Sequence, residues 1–325
     1  KTRPAILVGT PGRVADRLRR DNFSVENIKT LVLDEFDKSL EIGFEKEMTE
    51  IITGLPNIQQ RILTSATNEV EIPAFVGAQN PVIIDYLKQG STQLTYKIIL
   101  SPDKDKLETL HKAISFIGYE PGIIFCNFKE SLARVSESLS IQGIDHECFH
   151  GGMEQLDRER ALVKFRNGSI QLLLATDLAA RGLDIPEIKF ILHYQLPPHL
   201  KEFTHRNGRT ARMNREGVSY ILQWKGEQLP NFIQELEAKE VNIKNQDGTP
   251  PSTSKKWETL YITGGRRDKI SKGDIAGLFL KQGQIHKDQL GVIELQQTCA
   301  YAGVQTEVAE MVIEKTNNSK LKKKK

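Results

Sequence analysis

The sequence has few cysteines and no long apolar run, and both absences exclude classes of protein. Its three cysteines, Cys126, Cys148 and Cys299, are widely spaced and form no Cys-x-x-Cys pair. This spacing excludes a disulfide-rich secreted domain and predicts buried thiols in a reducing cytoplasm. No apolar run approaches the length of a membrane span and no signal peptide is visible, so we expect no membrane association.

A structural metal site is also not expected. His146, Cys148 and His150 alternate along the chain and could be imagined as metal ligands. No fourth ligand follows at the spacing of a zinc finger, and the segment is more typical of a strand end and the loop after it.

The composition is that of a globular protein with a basic end. A length of 325 residues predicts two to three domains, and 38% apolar with 27% charged residues suffice for ordinary cores and a polar surface. Residues 252–325 contain 14 Lys and Arg against 8 Asp and Glu, a net charge of +6, whereas the whole chain carries +3 and the preceding part therefore −3. A basic appendage on an acidic body indicates contact with nucleic acid.

An acidic cluster follows a short apolar run near the start of the chain. Asp34, Glu35 and Asp37 come directly after Leu31-Val32-Leu33, where a buried parallel strand would end. Ligands of open α/β sheets sit at the carboxyl ends of strands, where such carboxylates can hold Mg²⁺ and polarise water. Alone, this pattern is more often a solvated acidic turn.

Two further segments repeat the layout and favour the functional interpretation. Arg61 to Thr67 is an apolar strand that ends in the hydroxyls of Ser65 and Thr67. Ala5 to Val8 is likewise strand-like, and Thr10-Pro11-Gly12-Arg13 after it supplies a turn and an arginine suited to a phosphate backbone.

The basic half of the chemistry lies far along the chain. His205, Arg206, Arg209 and Arg212 surround Gly208, which lets the backbone approach a ligand closely. Arginine neutralises charge that spreads over a transferring phosphoryl group. Carboxylates and arginines so far apart in sequence predict a two-lobed, nucleotide-driven protein.

The ordered set of motifs resembles the DEAD-box RNA helicases from Lys1 to about residue 245. In the family's order the matching segments are Thr10 to Arg13 (motif Ib), Asp34 to Asp37 (II), Ser65 to Thr67 (III), Ile123 to Asn127 (IV), His150 to Gly152 with Gln155 and Arg158 (IVa), Ala175 to Asp184 (V) and His205 to Arg212 (VI). No single motif is decisive, but their order is very specific.

The resemblance implies ATP and Mg²⁺ as cofactors and gives each matching residue a role. Asp34 would bind Mg²⁺, Glu35 would activate water, and Arg209 and Arg212 would be arginine fingers on the γ-phosphate. The residues implied in ATP binding and coupling are Asp37, Ser65, Thr67, Gly182, Asp184 (at the ribose) and His205. Those implied in RNA binding are Thr10, Pro11, Gly12, Arg13, Gly151, Gln155, Arg158 and Thr176. We expect Arg206 to form an internal ion pair.

Three features depart from the family pattern. Phe36 replaces the alanine of motif II, for which we expect only local repacking, and Asn207 replaces an apolar residue of motif VI, which would soften the packing there. None of the 24 glycines precedes a lysine, so the Gly-Lys phosphate loop is missing from this sequence. We expect a piece of a longer protein that does not hydrolyse ATP efficiently by itself.

The predicted fold class is α/β, with RecA-like parallel-sheet domains, the first of them partial, and a small α+β C-terminal domain like an RNA recognition motif. Predicted strands Gly122–Phe125, Leu172–Ala175, Phe190–Leu192 and Ser219–Leu222 alternate with helical stretches. The predicted boundaries are 1–85 for the first domain, 86–93 for a connector, 94–244 for the second domain, 245–256 for a flexible linker and 257–325 for the C-terminal domain.

The C-terminal domain resembles the RNA-binding domain of the bacterial DEAD-box protein A group, whose members act on ribosomal RNA. Tyr301 stands without the aromatic partner of a standard recognition motif, so Arg266, Arg267 and Lys269 are predicted to contact RNA. A solvated module without RNA contact is the alternative. Lys320 to Lys325 is either a disordered basic tail or, as we favour, the lead-in to a further strand.

Two functional classes remain open, and in both we expect a monomer that binds RNA, above all ribosomal RNA. The first is an ATP-dependent enzyme that remodels RNA, and the second a non-catalytic RNA clamp with the same fold. The retained Glu35, Arg209 and Arg212 favour the enzyme. A DNA helicase of the same superfamily is less favoured, because motif VI reads His-Arg-x-Gly-Arg and Ser65-Ala66-Thr67 is present.

Overall fold

The computed structural model describes residues 5–20, 24–41, 43–65, 71–85, 93–177, 188–211, 216–246, 248–249 and 255–322. The chain forms two compact units, residues 1–91 and residues 92–325. Within the described residues, every helix is too short or too polar to cross a lipid bilayer.

The first unit contains a two-stranded parallel sheet with helices beside it. Its strands are β1 (Thr30–Leu33) and β2 (Gln60–Leu63), and its helices are α1 (Pro11–Arg19), α2 (Phe36–Glu41) and α3 (Glu45–Thr53). Leu33 pairs with Leu63, so both strands end at the same edge. Ala15 of α1 and Ile51 of α3 belong to one small core cluster, which ties these two helices together.

The expected strand at Ala5 to Val8 is wrong. Residues 6–10 have an irregular backbone, and Ile6 and Val8 are 79% and 88% exposed. A lone extended segment needs a neighbouring strand for its hydrogen bonds, and the described two-stranded sheet offers it none. The apolar run Val82 to Ile84 is exposed and irregular for the same reason.

The second unit begins with a seven-stranded sheet in which all neighbours are parallel, in the order β5-β6-β4-β7-β8-β3-β9. The strands are β3 (Gln93–Ser101), β4 (Gly122–Phe125), β5 (His146–Phe149), β6 (Leu172–Ala175), β7 (Phe190–His193), β8 (Glu216–Trp224) and β9 (Lys239–Val241). The helices are α4 (Leu107–Ile117), α5 (Lys129–Ile141), α6 (Gln155–Arg166), α7 (Leu200–Asn207) and α8 (Asn231–Gln234). We call this part, residues 93–246, the second lobe.

The central strands of the second lobe are buried on both faces. Every residue of β4, β6 and β7 is buried, which is why these strands read as continuous apolar runs. A Cβ on Gly122 would lie 2.2 Å from the Phe190 ring, so this close approach of strand and ring requires glycine. The predicted parallel α/β fold is confirmed.

The second unit ends in a small α+β module, residues 257–325, which we call the C-terminal module. Its antiparallel sheet has the order β10-β12-β11, formed by β10 (Trp257–Ile262), β11 (Leu290–Leu295) and β12 (Ala300–Gln305). The helices α9 (Lys272–Gly277) and α10 (Thr306–Thr316) cover one face of this sheet, with Ile275, Phe279, Ala302 and Val312 in the shared core.

Two sequence expectations for the C-terminal module are refined by the structure. The helix expected over Lys272 to Gln282 is α-helical only to Gly277 and continues as a π-helical turn from Leu278 to Gln282. Leu321 forms an isolated β-bridge and packs on the module core, whereas residues 323–325 lie outside the described part.

Candidate nucleotide and RNA sites

The acidic cluster lies at the carboxyl edge of the first unit's sheet, held there by Thr64. The Thr64 hydroxyl donates to the Asp34 carboxylate and accepts the Glu35 N–H at 3.1 Å. The Thr64 carbonyl accepts the Phe36 N–H at 3.0 Å, and the Thr64 N–H donates to the Leu33 carbonyl. Four hydrogen bonds of one residue therefore fix the turn that carries the carboxylates.

The turn presents its two carboxylates differently. Asp34 is exposed and Glu35 half-buried. Glu35 adopts a φ of 46°, in the left-handed region that residues with a Cβ seldom occupy. Thr64 was overlooked in the sequence, although its position at the end of β2, directly before Ser65, was the available signal.

The substituted position of motif II faces inward. Phe36 is 3% exposed and packs with Met48 and Val76. Asp37, one residue later, is 1% exposed. The phenyl ring thus takes part in the core beneath the acidic turn and leaves Asp34 and Glu35 accessible.

The predicted RNA-contacting segment of the first unit forms a helix start. Thr10 is the N-cap of α1, Pro11 its first residue, and the Thr10 side chain makes no capping hydrogen bond. Gly12 faces open space, because a Cβ there would meet nothing within 4 Å, and Arg13 is exposed. An N-terminal helix turn with an open glycine suits an anionic phosphate. Ser65 is also exposed, whereas Thr67 lies outside the described residues.

A second group of predicted RNA residues meets at one edge of the second lobe. β5 and β6 are parallel neighbours that end together at Phe149 and Ala175, and the Thr176 N–H donates to Phe149 O at 3.3 Å. Gly151 and Gln155 are exposed just beyond, and a Cβ on Gly151 would meet nothing within 4 Å.

Arg158 points back to the same edge. Its guanidinium lies 5.0 Å from the centroid of the Phe149 ring, and its Nε is buried without a hydrogen-bond partner. The structure thus brings Gly151, Gln155, Arg158 and Thr176 together, as one RNA-contacting surface would require.

Arg206 is an internal structural residue, as expected. It is 2% exposed and binds both carboxylate oxygens of Asp177 at 2.6 and 2.7 Å. It also donates to the Gln195 carbonyl and to Asn127 Oδ1, each at 2.7 Å. One guanidinium therefore joins the carboxyl ends of β4, β6 and β7.

Asn207 anchors motif VI to the sheet. It is 5% exposed, and its Oδ1 accepts from His193 Nε2 at 3.2 Å and from the Ser219 hydroxyl at 2.8 Å. Complete burial, together with the nearby Arg206 charge, lowers the pKa of His193 to about 3, against the smaller raising effect of its hydrogen bond to Asn207. Asn207 Nδ2 and His193 Nδ1 are buried without a hydrogen-bond partner, so the expected softening of the packing stays a prediction.

Only part of the predicted ATP-contacting set lies in the described residues. His205 and Arg209 lie at the C-terminal end of α7, both half-buried. Arg212, Gly182 and Asp184 lie outside the described part, so their roles stay predictions.

The basic loop of the C-terminal module is accessible. Arg266, Arg267 and Lys269 are exposed on a single 3₁₀ turn that follows β10. Tyr301 does have an aromatic neighbour, contrary to the sequence analysis, since Tyr261 lies opposite it with ring centroids 5.6 Å apart.

The imagined metal ligands have other partners. The His146 Nδ1–H donates to the Ile144 carbonyl at 2.8 Å, and its Nε2 accepts from the Ser136 hydroxyl at 2.7 Å. Among the described residues, no group of three or more His, Cys, Asp or Glu side chains is arranged to hold a metal ion.

Comparison with known proteins connects these sites to a family. Residues 1–74 match the DEAD/DEAH box helicase family, 105–214 the helicase conserved C-terminal domain and 259–325 the DbpA RNA binding domain. The ATP-dependent RNA helicase DbpA of Escherichia coli is 31% identical over 99% of this chain and 72% of its own length. The chain belongs to the DEAD-box ATP-dependent RNA helicases.

Other relatives agree with this assignment to the DEAD-box helicases. The Bacillus subtilis ATP-dependent RNA helicase DbpA is 30% identical over 100% of this chain and 74% of its own length. The structure of Saccharomyces cerevisiae Dbp5 bound to RNA and ADP BeF3 matches with a TM-score of 0.63 at 24% identity. The match spans 74% of this chain and 66% of the Dbp5 chain. The second likeness supports the fold.

Proposed function

We propose that this chain supplies the hydrolytic carboxylates, the arginine fingers and the RNA-binding surfaces of an enzyme that couples ATP hydrolysis to local unwinding of RNA duplexes. The arrangement that carries the proposal is the Thr64-braced turn, which presents Asp34 and Glu35 at a carboxyl sheet edge.

The acidic turn suits Mg²⁺ and water activation. Mg²⁺ is usually held by one or two carboxylates together with water and substrate phosphates, and the exposed Asp34 offers one such carboxylate. Bound Mg²⁺ would neutralise phosphate charge. Glu35 follows directly and is the group proposed to orient the attacking water.

The arginines of the second lobe are proposed to act on the same nucleotide. Arg209 and Arg212 would neutralise the γ-phosphate, while Asp37, Ser65, Thr67 and His205 would couple hydrolysis to RNA binding, and Gly182 and Asp184 would contact ATP. The buried Arg206 network supports this role because it fixes the helix that precedes Arg209.

RNA is the proposed nucleic-acid partner. The open glycines Gly12 and Gly151 and the basic residues Arg13 and Arg158 offer sequence-independent backbone contacts. Structured ribosomal RNA during ribosome assembly, in the cytoplasm, is the proposed setting, supported by the match of residues 259–325 to the DbpA RNA binding domain.

ATP turnover tests the proposal. The chain would be fused to an N-terminal segment that carries a Gly-Lys phosphate loop, because its own sequence has none. We expect slow turnover by the chain alone and turnover by the fusion that single-stranded RNA stimulates more than DNA of the same sequence. Glu35→Gln should lower the stimulated rate by about 10²-fold or more.

Glu137→Gln on the exposed side of α5 is the matched control and should leave the rate unchanged. Equal stimulation by DNA would contradict RNA as the partner. Full turnover by Glu35→Gln would contradict the catalytic assignment and favour a non-catalytic clamp.

A further inference from the structure

Both faces of the sheet in the C-terminal module pack against other parts of the second unit, although Tyr261 stays 60% exposed. Its own helices cover the face that carries Ala300, Ala302 and Val304. The opposite face, which carries Thr259, Tyr301 and Gly303, packs against the C-terminal half of α6 and the turn after it.

The apolar part of this contact is a small buried cluster. Val163 of α6 packs with Cys299 and Tyr301, and the three are 4%, 5% and 7% exposed. Val163 stands about 200° around the helix from Ala161 and Phe165, which pack into the second lobe. One helix thus serves two cores, and its alternating apolar residues were the sequence signal.

Polar contacts surround the cluster. Arg166 pairs with Glu294 at 3.1 Å, and the Ser169 and Thr259 hydroxyls lie 2.6 Å apart. Lys255, just before β10, pairs with Asp145 of the second lobe at 2.9 Å. The module is therefore fixed relative to α6.

The sheet face that lacks helices therefore forms a contact with α6 of the same chain. Recognition motifs of this architecture bind RNA on the sheet face that lacks helices, through stacked aromatic side chains. Here that face meets α6, and Tyr301 is buried against it. RNA contact at the module is left to exposed side chains, among them Tyr261 of the same face and the basic Arg266, Arg267 and Lys269.

Glu159 connects the two predicted RNA surfaces. Its Oε1 accepts from Gln155 Nε2 at 2.9 Å, and its Oε2 accepts from Gln296 Nε2 at 2.7 Å. The Gln296 carbonyl in turn accepts the Arg266 N–H at 2.9 Å. A chain of three hydrogen bonds thus runs from the edge of the second lobe to the basic loop.

We propose that α6 and the C-terminal module form one continuous RNA-binding surface, in which a single sugar–phosphate backbone runs from Gln155 and Arg158 to Arg266 and Arg267. The module's sheet is the docking face that holds the two halves together. The inference rests on the proposed RNA binding and adds that both halves grip the same strand.

RNA length separates the two ideas. Val163→Glu places a charge in the docking cluster without entering the lobe core, and it should undock the module. We expect this variant to bind a fluorescein-labelled RNA of about 25 nucleotides at least about tenfold more weakly than wild type, because simultaneous attachment is lost. The affinity of this variant for a labelled RNA of about 5 nucleotides should equal that of wild type, because so short an RNA contacts one half of the surface.

Two further variants keep the test independent of folding. Ala133→Glu adds the same charge at an exposed site of α5 and should bind both RNAs as wild type does. Val163→Cys should form a disulfide with Cys299 under oxidation, absent when Cys299→Ser is added, and the locked chain should retain wild-type affinity for the longer RNA. Glu159→Ala removes the hydrogen bonds that Glu159 accepts from Gln155 and Gln296. It should weaken binding of the longer RNA two- to threefold, a change of about 0.5 kcal/mol.

The outcomes are separable. If Arg158→Ala and Arg266→Ala both leave affinity for the longer RNA unchanged, the RNA-contact assignment itself fails. If both weaken it while folded Val163→Glu binds as wild type does, RNA binding stands and the continuous surface is wrong. Weaker binding of the longer RNA by the disulfide-locked chain than by wild type would overturn the docked arrangement as the one that binds RNA.

Discussion

At the residue scale, Thr64 fixes the positions of the two carboxylates of the acidic turn. Its hydroxyl bonds to Asp34 and to the Glu35 N–H, and its backbone continues the β1–β2 pairing. The hydroxyl therefore sets the direction of one carboxylate and the backbone of the other.

Thr64→Val keeps the shape of this side chain and removes its hydroxyl. We expect ATP turnover by the fusion protein to fall on the order of 10²-fold, with KM less affected, since a small displacement of a catalytic group is enough to slow the reaction that much. Thr49→Val is the control, because the Thr49 hydroxyl donates to the Glu45 carbonyl within α3. Unchanged turnover by Thr64→Val would show that the carboxylates hold their positions without it.

His193 makes stability depend on pH. Its pKa is about 3 in the folded chain, from an ordinary value of 6.5, because burial excludes the charged form. The unfolded chain therefore binds the proton first, so the stabilisation is complete above pH 6.5 and is lost as the pH falls toward 3. At pH 5 the loss is about 2 kcal/mol.

Urea unfolding between pH 7 and pH 5 measures this loss. His193→Gln keeps an N–H donor for Asn207 but does not titrate, so its stability should fall about 2 kcal/mol less over the interval than that of wild type. His199→Gln, at an exposed position, serves as the control. Parallel pH dependences of His193→Gln and wild type would contradict the assignment.

The role of an individual residue could be predicted from the sequence only where that residue belonged to a motif. Arg206 was predicted to be an internal partner, and its network with Asp177 bears this out. The hydrogen bonds of Thr64 and Asn207 were not predicted, since they depend on which strand ends meet in space. Spacing along the chain does not contain that information.

At the element scale, a substitution at the helix start Thr10-Pro11-Gly12 should change RNA affinity and stability in opposite directions. Glycine within a helix is destabilising, and a Cβ on Gly12 would enter open space. Gly12→Ala should therefore raise the free energy of unfolding by about 0.5–1 kcal/mol while weakening RNA binding, because the new methyl stands where the phosphate backbone would approach.

Gly277→Ala is the matched control for this change. A Cβ on Gly277 would also meet nothing within 4 Å, and this glycine is the last residue of α9 in the C-terminal module. It should alter stability similarly and leave RNA affinity as it is. Unaltered RNA binding by Gly12→Ala would remove α1 from the proposed RNA surface.

Elements buried on two faces were the easiest to predict. Gly122–Phe125 and Leu172–Ala175 have the predicted bounds because a central parallel strand must be apolar throughout. Ala5 to Val8 carries the same signal and is not a strand, since a strand exists only with a partner. The double-faced α6 escaped notice because its second face packs on a distant part of the chain.

At the scale of the whole molecule, the carboxylates that are proposed to act in hydrolysis belong to the first unit, and the proposed arginine fingers belong to the second. Each set alone could bind a phosphate, and under the proposed function hydrolysis would depend on both units. RNA contacts are predicted in both units as well, which gives a physical route from ATP to the RNA strand.

Strand separation tests this central claim most directly. The fusion protein would be mixed with a short RNA duplex that carries a fluorophore and a quencher, with and without ATP. The account predicts separation that requires ATP and that Glu35→Gln and Arg209→Ala each abolish, with both variants still binding RNA. Separation of the duplex without ATP, or at the wild-type rate by either variant, would contradict it.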